Sequence, residues 1–265
     1  MNGVQDISWI DLAIGYLLIV IPIIIFRYYQ TGMVRSTIIA VIRMGVQLFL
    51  VGLYLEYIFT LNNYWINIGW VLMMIVIASF TAIRRSGLNR KIFLLPVMLA
   101  MTLSIFAVDL YFLGVVVKLD YLFEARYFIP ITGMLIGNSM NNNIIAFNTY
   151  FTGLEREQVQ YRFALANGAT VNEALKKFIS EALQRSLNPT IATASVMGLI
   201  SLPGMMTGQI LGGSDPSVAI KYQIMVMISI LVCSILTVVL SILISNKFIL
   251  NKMGLPKHNL LTPKK

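Results

Sequence analysis

The sequence predicts an all-α membrane protein of about seven transmembrane helices. The N-terminus lies outside, the C-terminus lies in the cytoplasm, and a cytoplasmic helical hairpin separates spans five and six. Three observations carry this prediction. The 265 residues are 58% hydrophobic and only 12% charged, with a mean hydropathy of +0.80, a balance no soluble domain needs. Apolar runs of bilayer-crossing length recur at 9–29, 37–59, 64–82, 92–117, 127–150, 191–211 and 223–246. The basic residues alternate between their flanks.

That alternation fixes direction. Arg27 and Arg35 follow the first run, and Arg84, Arg85, Arg90 and Lys91 the third. Arg156, Arg162, Lys176, Lys177 and Arg185 follow the fifth, and Lys247, Lys252, Lys257, Lys264 and Lys265 the seventh. Lys118, Arg126 and Lys221 stand on the opposite side, and Arg43 is left inside a run. Lysine and arginine collect on the cytoplasmic side. The net charge of +9 is therefore explained by orientation, and no nucleic-acid partner is implied. Trp9, Tyr28, Tyr29, Trp65 and Tyr127 sit near predicted ends as interface anchors. One cysteine, Cys233, and one histidine, His258, exclude an internal disulfide and a histidine metal cluster. The whole chain, 1–265, reads as one transmembrane domain in the cell membrane, with lipid around it.

In the second run Arg43 and Gln47 are four apart and share a helix face. A charge at membrane depth costs about 2.5–3.5 kcal/mol on insertion scales, so it faces protein or water, or snorkels to the nearby interface. The third run is bland. The fourth begins near Pro96 and carries Asp109, a substrate contact, an ion-pair partner or a wetted position. The fifth is the most polar. Asn138, Asn141, Asn142, Asn143 and Asn148 cannot all face lipid, because an unpaired amide there costs a few kcal/mol. They line a pathway or subunit interface, or they bond neighbouring helices.

The stretch 154–189 is the one long water-soluble helical segment. Val171, Leu175, Phe178, Ile179 and Ala182 recur at helical spacing. Thr170 and Glu173 form a capping box, Asn167-Gly168 ends a preceding helix over about 155–166, and Pro189 is expected to stop the second helix. It is either a surface helix at the lipid headgroups or a docking element for a soluble partner. In the sixth run Leu202-Pro203-Gly204 predicts a kink or break, with Met205, Met206 and Gln209 after it. Broken helices build substrate sites and gates, or simply pack as kinks. The seventh run is apolar and reads as lipid-facing scaffold. The tail from Lys247 reads as polar and flexible. No GxxxxGK[ST] loop, catalytic triad or HExxH is present, so an enzyme reading has no support.

Several segments resemble one family. They are Gly137-Asn138-Ser139-Met140-Asn141, the run Ala164 to Thr170 with Glu173-Ala174, Asn188-Pro189-Thr190, and above all Ser201 to Gly213 with its Leu-Pro-Gly-Met-Met-Thr-Gly-Gln core. Together they resemble the FetB family of ABC transporter permeases, linked to iron export and metal tolerance, with aluminium-tolerance relatives in plants. The resemblance implies a permease subunit that pairs with a separate ATP-binding subunit, two of each, and binds no cofactor itself. ATP would act through the partner. Residues 154–189, with Gly168 and Glu173 in the segment, would be coupling helices seated in a groove on the ATPase by Val171, Leu175, Phe178 and Ala182. The pathway would be sought at Arg43, Gln47, Asn138, Asn141, Asn142, Asn143, Pro203, Met205, Met206 and Gln209. No metal ligand set is evident. An ion-coupled carrier, or an ABC permease for a non-metal solute, are the other readings.

Overall fold

A computed structural model describes residues 6–200, 202–251, 254 and 255. Among the described residues every regular element is a helix. The first span is α1 (Trp9–Gly15), a 3₁₀ stretch Tyr16–Ile19 and α2 (Val20–Tyr28). Then come α3 (Val34–Leu61), α4 (Tyr64–Arg85) and α5 (Arg90–Asp109), which loosens into a π-helical stretch over Leu110–Val117. α6 (Ala125–Arg156) and α7 (Gln158–Ala166) follow, then α8 (Val171–Val196), α9 (Gly204–Leu211) and α10 (Pro216–Ile249). Five segments are long and apolar enough to cross a membrane: Trp9–Tyr28, Val34–Leu61, Tyr64–Arg85, Arg90–Val117 and Pro216–Ile249. The 32-residue α6 is also long enough, at about 48 Å. Its asparagines lower its apolar character.

α10 is the centre of the bundle. It packs on α5, α6, α8 and α9 and buries residues along its whole length. The expectation that this run is lipid-facing scaffold is therefore wrong. Ser229, Cys233, Thr237, Ser241 and Ser245 recur every fourth residue and all are buried. Small side chains let helix backbones approach closely, and within a bilayer that closeness replaces the hydrophobic drive. The periphery is instead α1 to α3, where only Ile58 is buried.

Pro189 does not stop α8. It removes one backbone donor, yet the helix continues to Val196. Both flanks of the proline are held: Ser186 and Leu187 are buried before it, and Thr190 bonds Asn142 of α6 after it. Tertiary contacts outweigh the local cost. The break predicted at 202–204 is real and begins earlier. Met197 is extended, Gly198 has φ +85°, and helix resumes only at Gly204. A side chain at 198 would strain that left-handed turn.

The start of the tail is ordered and docked, against expectation. The Tyr161 hydroxyl donates to the Gly254 carbonyl at 2.7 Å, joining the start of the tail to α7. Gly254 has φ +77°, and a Cβ there would stand 2.7 Å from Val171 Cγ2. Residues 256–265 lie outside the described residues.

Candidate functional site

A cavity of about 380 Å³ opens where α6, α8, the break and α10 meet. α6 supplies Met134, Asn138, Asn141 and Asn142. α8 supplies Pro189, Thr190 and Thr193. The break contributes Pro203, α9 contributes Met205, and α10 contributes Gln223 and Met227. No lining side chain carries a formal charge.

The polar groups of this wall are partly committed. Asn142 Nδ2 donates to Thr190 Oγ1 at 3.3 Å, and Thr190 Oγ1 donates back to Asn142 Oδ1 at 3.4 Å. This reciprocal pair clamps α6 to α8 beside Pro189. Asn138 donates to the Met134 carbonyl of its own helix. Gln223 Nε2 reaches Met197 Sδ at 3.8 Å, while its Oε1 is buried with no protein partner. A buried acceptor left in that state costs about 1–3 kcal/mol unless water or a ligand meets it.

Of the residues singled out in the sequence, Asn138, Asn141, Asn142, Pro203 and Met205 line this one cavity. The structure separates the others. Asn143 is turned into the core, fully buried, with neither amide atom partnered. Met206 lines a neighbouring apolar cavity of about 510 Å³ that shares Pro203, Gln223 and Met227. Gln209 lines neither cavity, and its Oε1 is buried without a partner. Arg43 and Gln47 lie exposed on α3, away from both. Asp109 is neither wetted nor paired with a base: it is buried and accepts the Thr132 hydroxyl at 2.7 Å. The sequence reading missed Thr190, Thr193 and Gln223 as cavity residues. A glutamine within the apolar run of α10 was the available signal.

The hairpin is built as its capping signals require. Thr170 Oγ1 accepts from Glu173 N, and Glu173 Oε2 accepts from Thr170 N. The Thr170 N–H, and with it the Thr170 hydroxyl donating to Oε2 at 2.7 Å, hold the Glu173 carboxyl below the usual glutamate range. Gly168, at φ +90°, closes α7. Glu157 at the α6–α7 corner is bridged by Lys177 at 2.7 Å and by Arg156 at 3.3 Å. The Lys177 hydrogen bond chiefly lowers the Glu157 carboxyl and raises the lysine.

The expected docking face needs correction. Leu175, Phe178 and Ala182 are buried in this chain's own core, and Val171 is half-buried against the docked tail. Phe178 packs edge-on to Tyr161 and against Gly153 of α6. That face is already covered. The exposed large apolar residues of the hairpin are Val159 and Phe163, one turn apart on α7 and 81% and 70% exposed. Arg162 stands exposed between them.

Comparison with known proteins places this architecture. The profile of an uncharacterised protein family, UPF0014, matches residues 9–249. The chain belongs to the UPF0014 family. It is 30% identical over 244 residues to "UPF0014 membrane protein YjkA" of Bacillus subtilis, covering 89% of this chain and 93% of that protein. It is 32% identical over 254 residues to "Probable iron export permease protein FetB" of Escherichia coli, covering 94% of each. It is 32% identical over 219 residues to "Protein ALUMINUM SENSITIVE 3" of Arabidopsis thaliana, covering 80% of this chain and 76% of that protein. No solved structure matches. UPF0014 relatives are named membrane proteins, and this chain is a multi-pass membrane protein.

Proposed function

We propose that this UPF0014 chain is the membrane-spanning permease subunit of an ABC transporter that exports a metal, driven by a separate ATP-binding subunit. The observation that carries this is the continuity of α8. One unbroken helix runs from the capped hairpin at Thr170 to the cavity wall at Thr190 and Thr193. From residue 171 to 190 that is about 29 Å of rigid rod. A displacement of the hairpin therefore reaches the cavity without passing through a loop. The break that opens at Met197 and Gly198 lies directly beyond, where α8 and α9 can swing relative to one another.

In this reading seven crossings leave the N-terminus outside and the hairpin in the cytoplasm, as the basic residues of the hairpin and the α4–α5 loop favour. The ATPase meets Val159 and Phe163, the apolar pair the chain leaves uncovered, with Arg162 beside them. A second copy of the permease covers the polar positions that a lone chain would expose to lipid: Arg43 and Gln47 on α3, and Asn138, Asn141 and Asn148 on α6. The metal assignment leans on the printed name of the Escherichia coli relative.

The test is reconstitution in liposomes with an ABC ATPase subunit of the same organism. ATP hydrolysis rises when the wild-type chain is present, and Phe163→Asp removes the rise while the variant still inserts. If Phe163→Asp stimulates as well as wild type, α7 is not the coupling surface. Transport by the chain alone under an ion gradient would replace this reading with an ion-coupled carrier.

A further inference from the structure

Three half-buried methionines from three different elements line the polar cavity: Met134 of α6, Met205 of α9 and Met227 of α10. The remaining polar donors there are neutral amides and hydroxyls, with the Gln223 carbonyl buried and unpartnered. Among the described residues no group of three or more His, Cys, Asp or Glu side chains comes together anywhere. A hard di- or trivalent cation stripped of water needs oxygen ligands with compensating negative charge, which this wall does not offer. A soft monovalent cation needs neither. Thioethers are soft, uncharged ligands of the kind that select Cu(I), and a single positive charge is tolerated among oriented amide dipoles.

We propose that the cavity is a thioether site for a soft monovalent metal ion, Cu(I) or its redox-stable analogue Ag(I), held by Met134, Met205 and Met227 with the Gln223 carbonyl as an oxygen donor. The proposal names the substrate class of the pathway described above and rests on that reading of the cavity. Binding involves no redox step: the ion enters as a monovalent cation and exchanges its weakly held ligands for thioether sulfur. Methionine in a core is ordinarily gap filler. Here all three line one cavity whose other polar groups are unusual for a membrane core, and one buried acceptor lacks a partner.

The test uses the full-length purified chain in detergent without any ATPase, so it stands or falls separately from the ABC assignment. Silver nitrate is titrated by calorimetry, with bound metal counted by mass spectrometry. The expected result is one tightly bound Ag(I) per chain. Replacing Met134, Met205 and Met227 together by leucine, which conserves volume, should weaken it by about tenfold or more, at least the loss seen when an outer-shell partner is removed. Cys233→Ala should leave it unchanged, since that thiol is buried outside the cavity. X-ray absorption on the Cu(I)-loaded wild-type chain, which needs no variant to fold, should show sulfur neighbours. The proposal is overturned if silver does not bind, if the leucine variant binds as wild type, if Cys233→Ala abolishes binding, or if the copper shell holds only nitrogen and oxygen. It is equally overturned if ferrous iron binds the same methionines more tightly than silver.

Discussion

Replacing Phe178 by alanine separates a core role from a docking role for the hairpin's best apolar face. Phe178 is 5% exposed, wedged between Tyr161 and Gly153. A buried Phe→Ala change costs about 3–5 kcal/mol, and the lower end suits a site near the surface that can partly collapse. At about 1.4 kcal/mol per factor of ten, a loss of 3 kcal/mol raises the population of the opened hairpin by about 100-fold. Limited proteolysis reads that population when opening and closing are fast. The assay is trypsin cleavage at the hairpin's Arg and Lys sites, in detergent, at fixed protease. Phe178→Ala should be cut about 100-fold faster than wild type, while Phe163→Ala, 70% exposed, should be cut at the wild-type rate. If Phe178→Ala resists as wild type does, or if Phe163→Ala is equally labile, the packing argument for the hairpin is wrong.

Other outcomes follow from the same contacts. Thr190→Val removes the partner of Asn142 and should lower stability by about 1–3 kcal/mol in a thermal unfolding assay, with Thr190→Ser restoring most of it. Gly254→Ala forces a Cβ into the left-handed region and against Val171, costing about 1–2 kcal/mol and loosening the tail from α7, readable as faster hydrogen exchange at the residue 254 and Leu255 amides. The Glu157 carboxyl is held below its ordinary range by Lys177 and Arg156, so its stabilisation is present above the unfolded glutamate value and lost as pH falls through the lower folded value. Lys177 is raised, so its share is present below the ordinary lysine value and lost only as pH rises through the higher folded one. Hairpin protection should therefore be flat at neutral pH and fall below about pH 4, and Lys177→Met should shrink that acid step. Because the Lys177 side of the pair stands exposed, high salt should shrink it too.

The sequence was legible where structure is local. The capping box at Thr170 and Glu173, the turn at Gly168 and the break around Pro203 depend on a few neighbouring residues, and all are as expected. It misled where the deciding partner is distant. Pro189 reads as a stop, yet Asn142, far away in the chain, holds the helix through it. The apolar face of α8 announces that something covers it, without saying whether that is this chain or another. α10 reads as lipid-facing because serine and threonine spaced by four look mild on any hydropathy scale, although small residues at that spacing mark a packing seam. Arg43 and the asparagines of α6 all declared themselves unsuited to lipid, but of these only Asn138, Asn141 and Asn142 share a cavity. Periodicity gives the face of a residue on its helix and leaves the helix's neighbours undetermined.

Coupling to a cytoplasmic ATPase requires the hairpin to stand on the cell-interior side with α7 outermost. A Val159→Cys variant places a single accessible thiol there, since the native Cys233 is buried. A membrane-impermeant maleimide should label it in inverted vesicles and leave it unlabelled in intact cells. Labelling in intact cells would put α7 on the outside and contradict the coupling of this chain to a cytoplasmic ATPase.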